Sequence, residues 1–166
     1  TVLYTGDGTD DKAITGVGFQ PDFLWQKNRG ATGNNRLYDS IRGAANRLVS
    51  NSTAAQSQPG DELDSFDSDG FTIDVGMNED AATFVAWNWL AADTFDPTSA
   101  GDIAVASGKS NATAGFSIVK YTGEDAVKTI GHGLSTAPKL IIVKNLGVLQ
   151  WPVYYLRTDG PDGLII

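Results

Sequence analysis

The chain carries one histidine and no cysteine, which narrows the chemistry open to it before any fold is considered. His132 lies between Gly131 and Gly133, in a setting suited to a sharp turn because glycine tolerates positive φ, and it reads as a turn residue. Without a second imidazole or any thiolate, a zinc site would have to be built from carboxylates. A Ser-His-Asp triad would have to recruit this one histidine without the G-x-S-x-G turn that exposes a nucleophile. Both are set aside. Gly108-Lys109-Ser110 resembles the end of a phosphate-binding loop, but the position of the required first glycine holds Ile103, so the motif fails.

The densest run of hard oxygen ligands is Asp61, Glu62, Asp64, Asp67, Asp69 and Asp74. Asp67-x-Asp69-Gly70 matches a fragment of a calcium loop, without the full ligand alternation and the closing bidentate Glu. The run reads as a solvated acidic turn, with calcium at Asp67 and Asp69 as the alternative. A glycosidase acid and base could be drawn from the same carboxylates, but no spacing fixes a pair facing a cleft. Sugars can also be held by stacking on aromatic rings. Trp151, Tyr154 and Tyr155 are the candidates for glycan contact because they lie outside the strongest strand pattern, although core packing would use the same rings. No catalytic residue is assigned, and the chain is read as non-enzymatic.

The elements that must position these residues follow from an internal duplication. Tyr4-Thr5-Gly6 is answered by Tyr121-Thr122-Gly123, 117 positions further on. Gly16-Val17-Gly18-Phe19 is answered by Gly131-His132-Gly133-Leu134, and Pro21 to Asn28 by Pro138 to Asn145. Because Val17 is the counterpart of His132, the unit does not need an imidazole there. Each unit reads as strand, turn and strand. Phe116 to Tyr121 is rich in β-branched and aromatic residues, the Gly-x-Gly permits a sharp turn, and Leu140 to Val143 is a short apolar run of the kind covered on both faces.

Between the copies, Gly70 to Ile73 and Thr83 to Trp89 read as a hairpin joined by a polar loop. In its second strand Val85, Trp87 and Trp89 share one face and Phe84 and Ala86 the other, with the tryptophans as core candidates. Leu37, Ile41, Ala45 and Leu48 have helix-like spacing interrupted by Gly43, which supports at most one short helix. The expected organisation is a first β unit over 1–93 ending in the hairpin, a connection over 94–115 with a weak strand at Ile103 to Ala106, and a second, incomplete unit over 116–166. Since that second unit has no counterpart of the hairpin, the chain is expected to be part of a longer protein.

Composition agrees with this plan. With 41% hydrophobic and 19% charged residues among 166, the chain can bury a core. Nineteen glycines suit short strands joined by tight turns, so the fold class expected is all-β, an antiparallel β-sandwich. The absence of cysteine rules out a disulfide scaffold. A net charge of −8 opposes binding to nucleic acid, which depends on Lys and Arg. Lys27, Arg29, Arg36, Arg42 and Arg47 fall in one stretch, but no aromatic interleaving gives them a stacking platform, and they read as solvated surface. No apolar stretch is long enough for a membrane span, and the chain is read as soluble.

Several runs carry a resemblance. Tyr4-Thr5-Gly6, Ile14 to Asp22, Asp39 to Ala44, Ser68 to Thr72 and Val85 to Trp89 look like a repeated domain of unknown function found in tail-fibre and other virion proteins of marine bacteriophages. Ala114 to Val119, continuing through Lys144-Asn145, is similar to the following repeat. The resemblance implies a virion location, a sandwich of lectin-like or jelly-roll-like form, and a structural role in a tail fibre or outer decoration. It further implies association with other virion proteins and with itself, as a trimer, and contact with a host glycan. A carbohydrate-binding module of an extracellular protein is the alternative.

Overall fold

Alternating apolar and polar residues broken by glycine turns fold here into fourteen short strands among the described residues. The structure is a computed structural model that describes residues 1–156 and the backbone of 163–165, so 157–162 and 166 of the second unit lie outside the described residues. In chain order the strands are β1 (Val2–Thr5), β2 (Lys12–Thr15), β3 (Phe23–Asn28), β4 (Arg36–Asp39), β5 (Leu48–Val49), β6 (Leu63–Asp67) and β7 (Gly70–Ile73). They continue as β8 (Thr83–Trp89), β9 (Asp93–Phe95), β10 (Ala106–Asn111), β11 (Phe116–Tyr121), β12 (Leu140–Ile142), β13 (Val153–Tyr155) and β14 (Gly163–Ile165). The all-β expectation holds, and every strand pairing is antiparallel.

A five-stranded sheet in the order β1-β8-β3-β4-β5 packs on a three-stranded sheet in the order β2-β7-β6. Between them Leu24, Tyr38 and Ala86 of the larger sheet meet Ile14, Leu63, Phe71 and Ile73 of the smaller one, with Met77 beneath. The period of two along each strand places these residues on a single face, and their burial from water is the main stabilising term. The fold is a β-sandwich.

The hairpin expected from Gly70 to Trp89 does not form. β7 pairs with β2 and β6, whereas β8 pairs with β1 and β3, so the two strands lie in opposite sheets. The loop between them is an arch containing a single 3-10 turn, Val75–Met77. β7 takes its hairpin partner from the other side, through the tight turn at Asp67 to Gly70. The short helix expected at Leu37 to Leu48 is also replaced, by β4, a turn and β5. Asp39 Oδ1 accepts from the N–H groups of Ile41 and Arg42 at 3.1 and 2.8 Å, and Gly43 has a φ of +91°, which together close a turn where a helix would need to continue.

The connection over 94–115 holds more structure than one weak strand at Ile103. Ile103 is buried outside any strand, and the strand is β10, in which Gly108-Lys109-Ser110 lies fully extended. β10 pairs with both β9 and β11 to form a second three-stranded sheet. A third is β12-β13-β14, in which the β12-β13 pair repeats a backbone bond of the β3-β4 pair. Ser40 N donates to Asp22 O at 2.9 Å, and Leu156 N to Lys139 O at 2.8 Å. Asn28 Oδ1 accepts from Gly30 N and Asn145 Oδ1 from Gly147 N, at 2.9 and 2.7 Å. Asn28 closes β3 while Asn145 stands three residues past the end of β12, and each accepts from the N–H two residues on.

Candidate functional site

Burial decides whether a carboxylate is free to react. The basic stretch is not solvated surface throughout. Arg36 in β4 and Arg47 just before β5 both donate to Glu62 Oε1, at 3.0 and 2.5 Å, and Tyr38 donates to Glu62 Oε2. The Glu62 side chain is 5% exposed, so the acidic run is not wholly solvated either. Burial, then the neighbouring Glu62 carboxylate, hold the Tyr38 phenol well above its ordinary pKa. A cleft of about 180 Å³ opens beside this cluster, lined by Tyr38, Pro59, Glu62, Asp64 and Asp74 among others. With three donors on its two oxygens Glu62 is committed to holding the sheets together, and it is poorly placed to take a proton from a substrate.

Arg42 is equally committed. It pairs with Asp39 through Nε at 2.5 Å, both side chains being buried, and its Nη1 donates to Asn46 O and Gln56 Oε1 at 2.8 and 3.1 Å. Asp22 accepts from Ser40 Oγ at 2.7 Å, from Ala91 N at 2.8 Å and from Lys109 Nζ at 2.6 Å, which ties β10 to the β3-β4 hairpin.

The residues proposed for calcium are already bonded to protein donors. Asp67 accepts from Ser65 Oγ and Thr72 Oγ1 at 2.8 and 2.7 Å. Asp69 accepts from the N–H groups of Gly16 and Gly18 at 3.1 and 2.6 Å, so it caps the turn at Gly16-Val17-Gly18. Among the described residues no group of three His, Cys, Asp or Glu side chains could hold a metal ion. His132 serves its own turn, its Nδ1 accepting from Leu134 N at 3.1 Å.

The three residues proposed for glycan contact do not form one platform. Tyr154 and Tyr155 are consecutive in β13 and so project to opposite faces. Trp151 is half-buried, donates through Nε1 to Ser52 O at 2.9 Å, and has Lys144 Nζ 5.7 Å from its ring centroid. Desolvation draws the Lys144 pKa below the ordinary lysine value.

A different aromatic surface lies on the outer face of the five-stranded sheet. In β8 the buried residues opposite the second sheet are Phe84 and Ala86, while Trp87 is 36% exposed, so the tryptophans are not in the main core. Trp25 of β3 is the direct cross-strand partner of Trp87, and the two rings meet edge to face with centroids 6.0 Å apart. The Trp25 Nε1 is buried with no hydrogen-bond partner. Further along the same face Phe23, Trp89 and Phe116 pack together, Phe116 lying 6.0 Å from each of the other two rings. Sequence alternation already separated Trp87 from Phe84. What it lacked was which of those two faces meets the second sheet.

The fold and this outer face define an all-β sandwich whose buried charges serve its architecture and whose aromatic residues divide between core, joint and surface. The chain belongs to the family of a domain of unknown function, DUF7483, whose model matches residues 1–159. No curated protein and no solved structure matches it.

Proposed function

We propose that the chain is a non-enzymatic structural module of a phage virion, within a tail fibre or an outer decoration, built by repetition of one β unit. The observation that carries this reading is the joint between the first sandwich and the sheet that opens the second unit. Phe116 at the start of β11 packs on Phe23 and Trp89, and Lys109 of β10 pairs with Asp22. Aromatic burial combined with a charge-assisted bond gives a stiff connection, which is what a load-bearing string of β units requires. The phage assignment itself rests on the resemblance of the sequence runs named above. Immunogold electron microscopy of particles from the source phage tests it. Label on tails or fibres is the expected result, and a free monomer never associated with particles would overturn it.

A carbohydrate-binding role is favoured by one specific observation, the Trp87 ring standing 36% exposed on the outer face of the five-stranded sheet. An exposed indole offers a sugar ring a face to stack on. A glycan array comparing the native chain with Trp87→Ala tests it. Binding lost on substitution is expected, and an array without any binding would remove the reading.

A further inference from the structure

In the first unit β8 lies between β1 and β3 and pairs with both. Ala86, for instance, faces Val2 on one side and Gln26 on the other. In the second unit β11 answers β1 and β12 answers β3, by the sequence matches. Among the described residues β11 pairs only with β10, and β12 only with β13, so each has an unpaired edge. β12 is apolar along its whole length, yet Leu140, Ile141 and Ile142 are 58, 41 and 53% exposed. An exposed, apolar, uncharged edge is the feature that folded proteins normally cover.

The orientation of the free edge follows from the bonds on the paired side. Lys139 O accepts from Leu156 N, and Val143 N donates to Pro152 O, so residues 139 and 143 turn their backbone groups toward β13. Antiparallel pairing alternates. Leu140 and Ile142 therefore direct their N–H and C=O groups away from β13, to the open side.

We propose that the free edges of β11 and β12 together accept one extended strand of the β8 type, uncharged and carrying apolar side chains on both faces, by β-strand addition. The proposal rests on the reading of the chain as a repeated β unit. Carried over from the first unit, the register sets the position of Ala86 between Val119 and Val143, and that of Trp87 opposite Ile142. The occupant is a strand of this same repeat family, because that sequence type already fills the equivalent position between β1 and β3.

The test uses the intact chain and a synthetic peptide with the sequence of residues 81–91. Saturable one-to-one binding, with slowed amide hydrogen exchange in both 116–121 and 140–142, is the expected result. Ile142→Pro removes an N–H on the open side and leaves the bonds to β13 in place, so it should abolish binding. Should that variant misfold, a peptide N-methylated at alternate residues makes the same test on the native protein, and it should not bind. Absence of binding, protection of only one of the two strands, or undiminished binding of the methylated peptide would overturn the proposal. These results are independent of particle labelling, so the edge can fail while the virion reading stands, and the reverse.

Discussion

Glu62 Oε1 accepts a hydrogen bond from Arg36 Nε at 3.0 Å, with both side chains largely withdrawn from water. Arg36 belongs to the five-stranded sheet and Glu62 directly precedes β6 of the opposing sheet, so this bond spans the two layers. Removing one member of a buried ion pair leaves the other charge unpaired in a medium of low dielectric. Glu62→Ala strands two arginines and the Tyr38 hydroxyl at once, and it is expected to cost about 3–5 kcal/mol, read from the urea midpoint at unchanged slope. Lys12→Ala breaks an exposed pair with Asp7, and it should leave the midpoint almost where it was, since exposed pairs contribute little.

Gly70 is the narrowest point of the smaller sheet. It has a φ of +155°, and a Cβ built there would stand 1.9 Å from Ile14 O across the β2-β7 pair. That oxygen is part of the backbone and can move only by opening the sheet. Gly70→Ala should therefore destabilise by about 3 kcal/mol or more, seen as a fall in melting temperature. Gly33→Ala, with nothing within 4 Å of the added carbon, should leave the melting temperature unchanged or slightly higher, because alanine restricts the unfolded chain.

Strand-forming composition and glycine turns made the all-β class legible. Pairing was not legible. Whether Gly70–Ile73 turns back onto Thr83–Trp89 or crosses to another sheet depends on contacts with β2 and β1, far away in sequence, and local propensity is silent about those. The charges failed for the same reason. Arg36, Arg47 and Glu62 are individually ordinary surface residues, and only the closing of the sandwich brings them together away from water. The aromatic surface was half legible, since alternation put Trp87 opposite to Phe84 but could not say which side the second sheet would cover.

Phenols and carboxylates set opposite limits on pH stability. Burial raises the pKa of both Tyr4 and Tyr38 in the folded chain. A raised folded value means stability is fully present below the unfolded phenol value, about 10, and is lost as pH rises above it. Asp7 is lowered, chiefly by its bond from Lys12, and Asp96 and Asp102 are lowered by bonds from Thr98 and Thr129. For these groups stability is present above the unfolded carboxylate value, about 4, and is lost as pH falls below it. Melting temperature against pH should thus be flat between those limits, fall clearly at the alkaline end, and fall only slightly at the acid end, where the carboxylates and their partners are exposed and screened by water. Tyr38→Phe should blunt the alkaline fall.

Asp69 separates a capping role from a calcium role. Its carboxylate accepts from Gly16 N and Gly18 N, and charge-assisted bonds to backbone N–H groups stabilise turns without any ion. Asp69→Ala is expected to lower stability by about 1–2 kcal/mol by the same amount in calcium and in chelator. A deficit that appears only in calcium would assign the side chain to an ion.

Phe116 reports on the contact between β11 and the five-stranded sheet. Its ring stacks on Trp89 with an interplanar angle of 24° and a centroid distance of 6.0 Å, so it shields the indole from water on that side. Phe116→Ala removes a half-buried ring whose area and aromatic contact contribute about 2 kcal/mol. The first sandwich has its own core in Leu24, Tyr38, Phe71 and Ile73, none of which touches this ring in the clustered core, so its cooperative unfolding should persist. Two changes are expected together: a red-shifted tryptophan emission in the folded protein, and faster amide exchange confined to β10 and β11. If exchange accelerates equally in β3 and β8, the β9-β10-β11 sheet and the sandwich share one cooperative fold and this contact is part of its core.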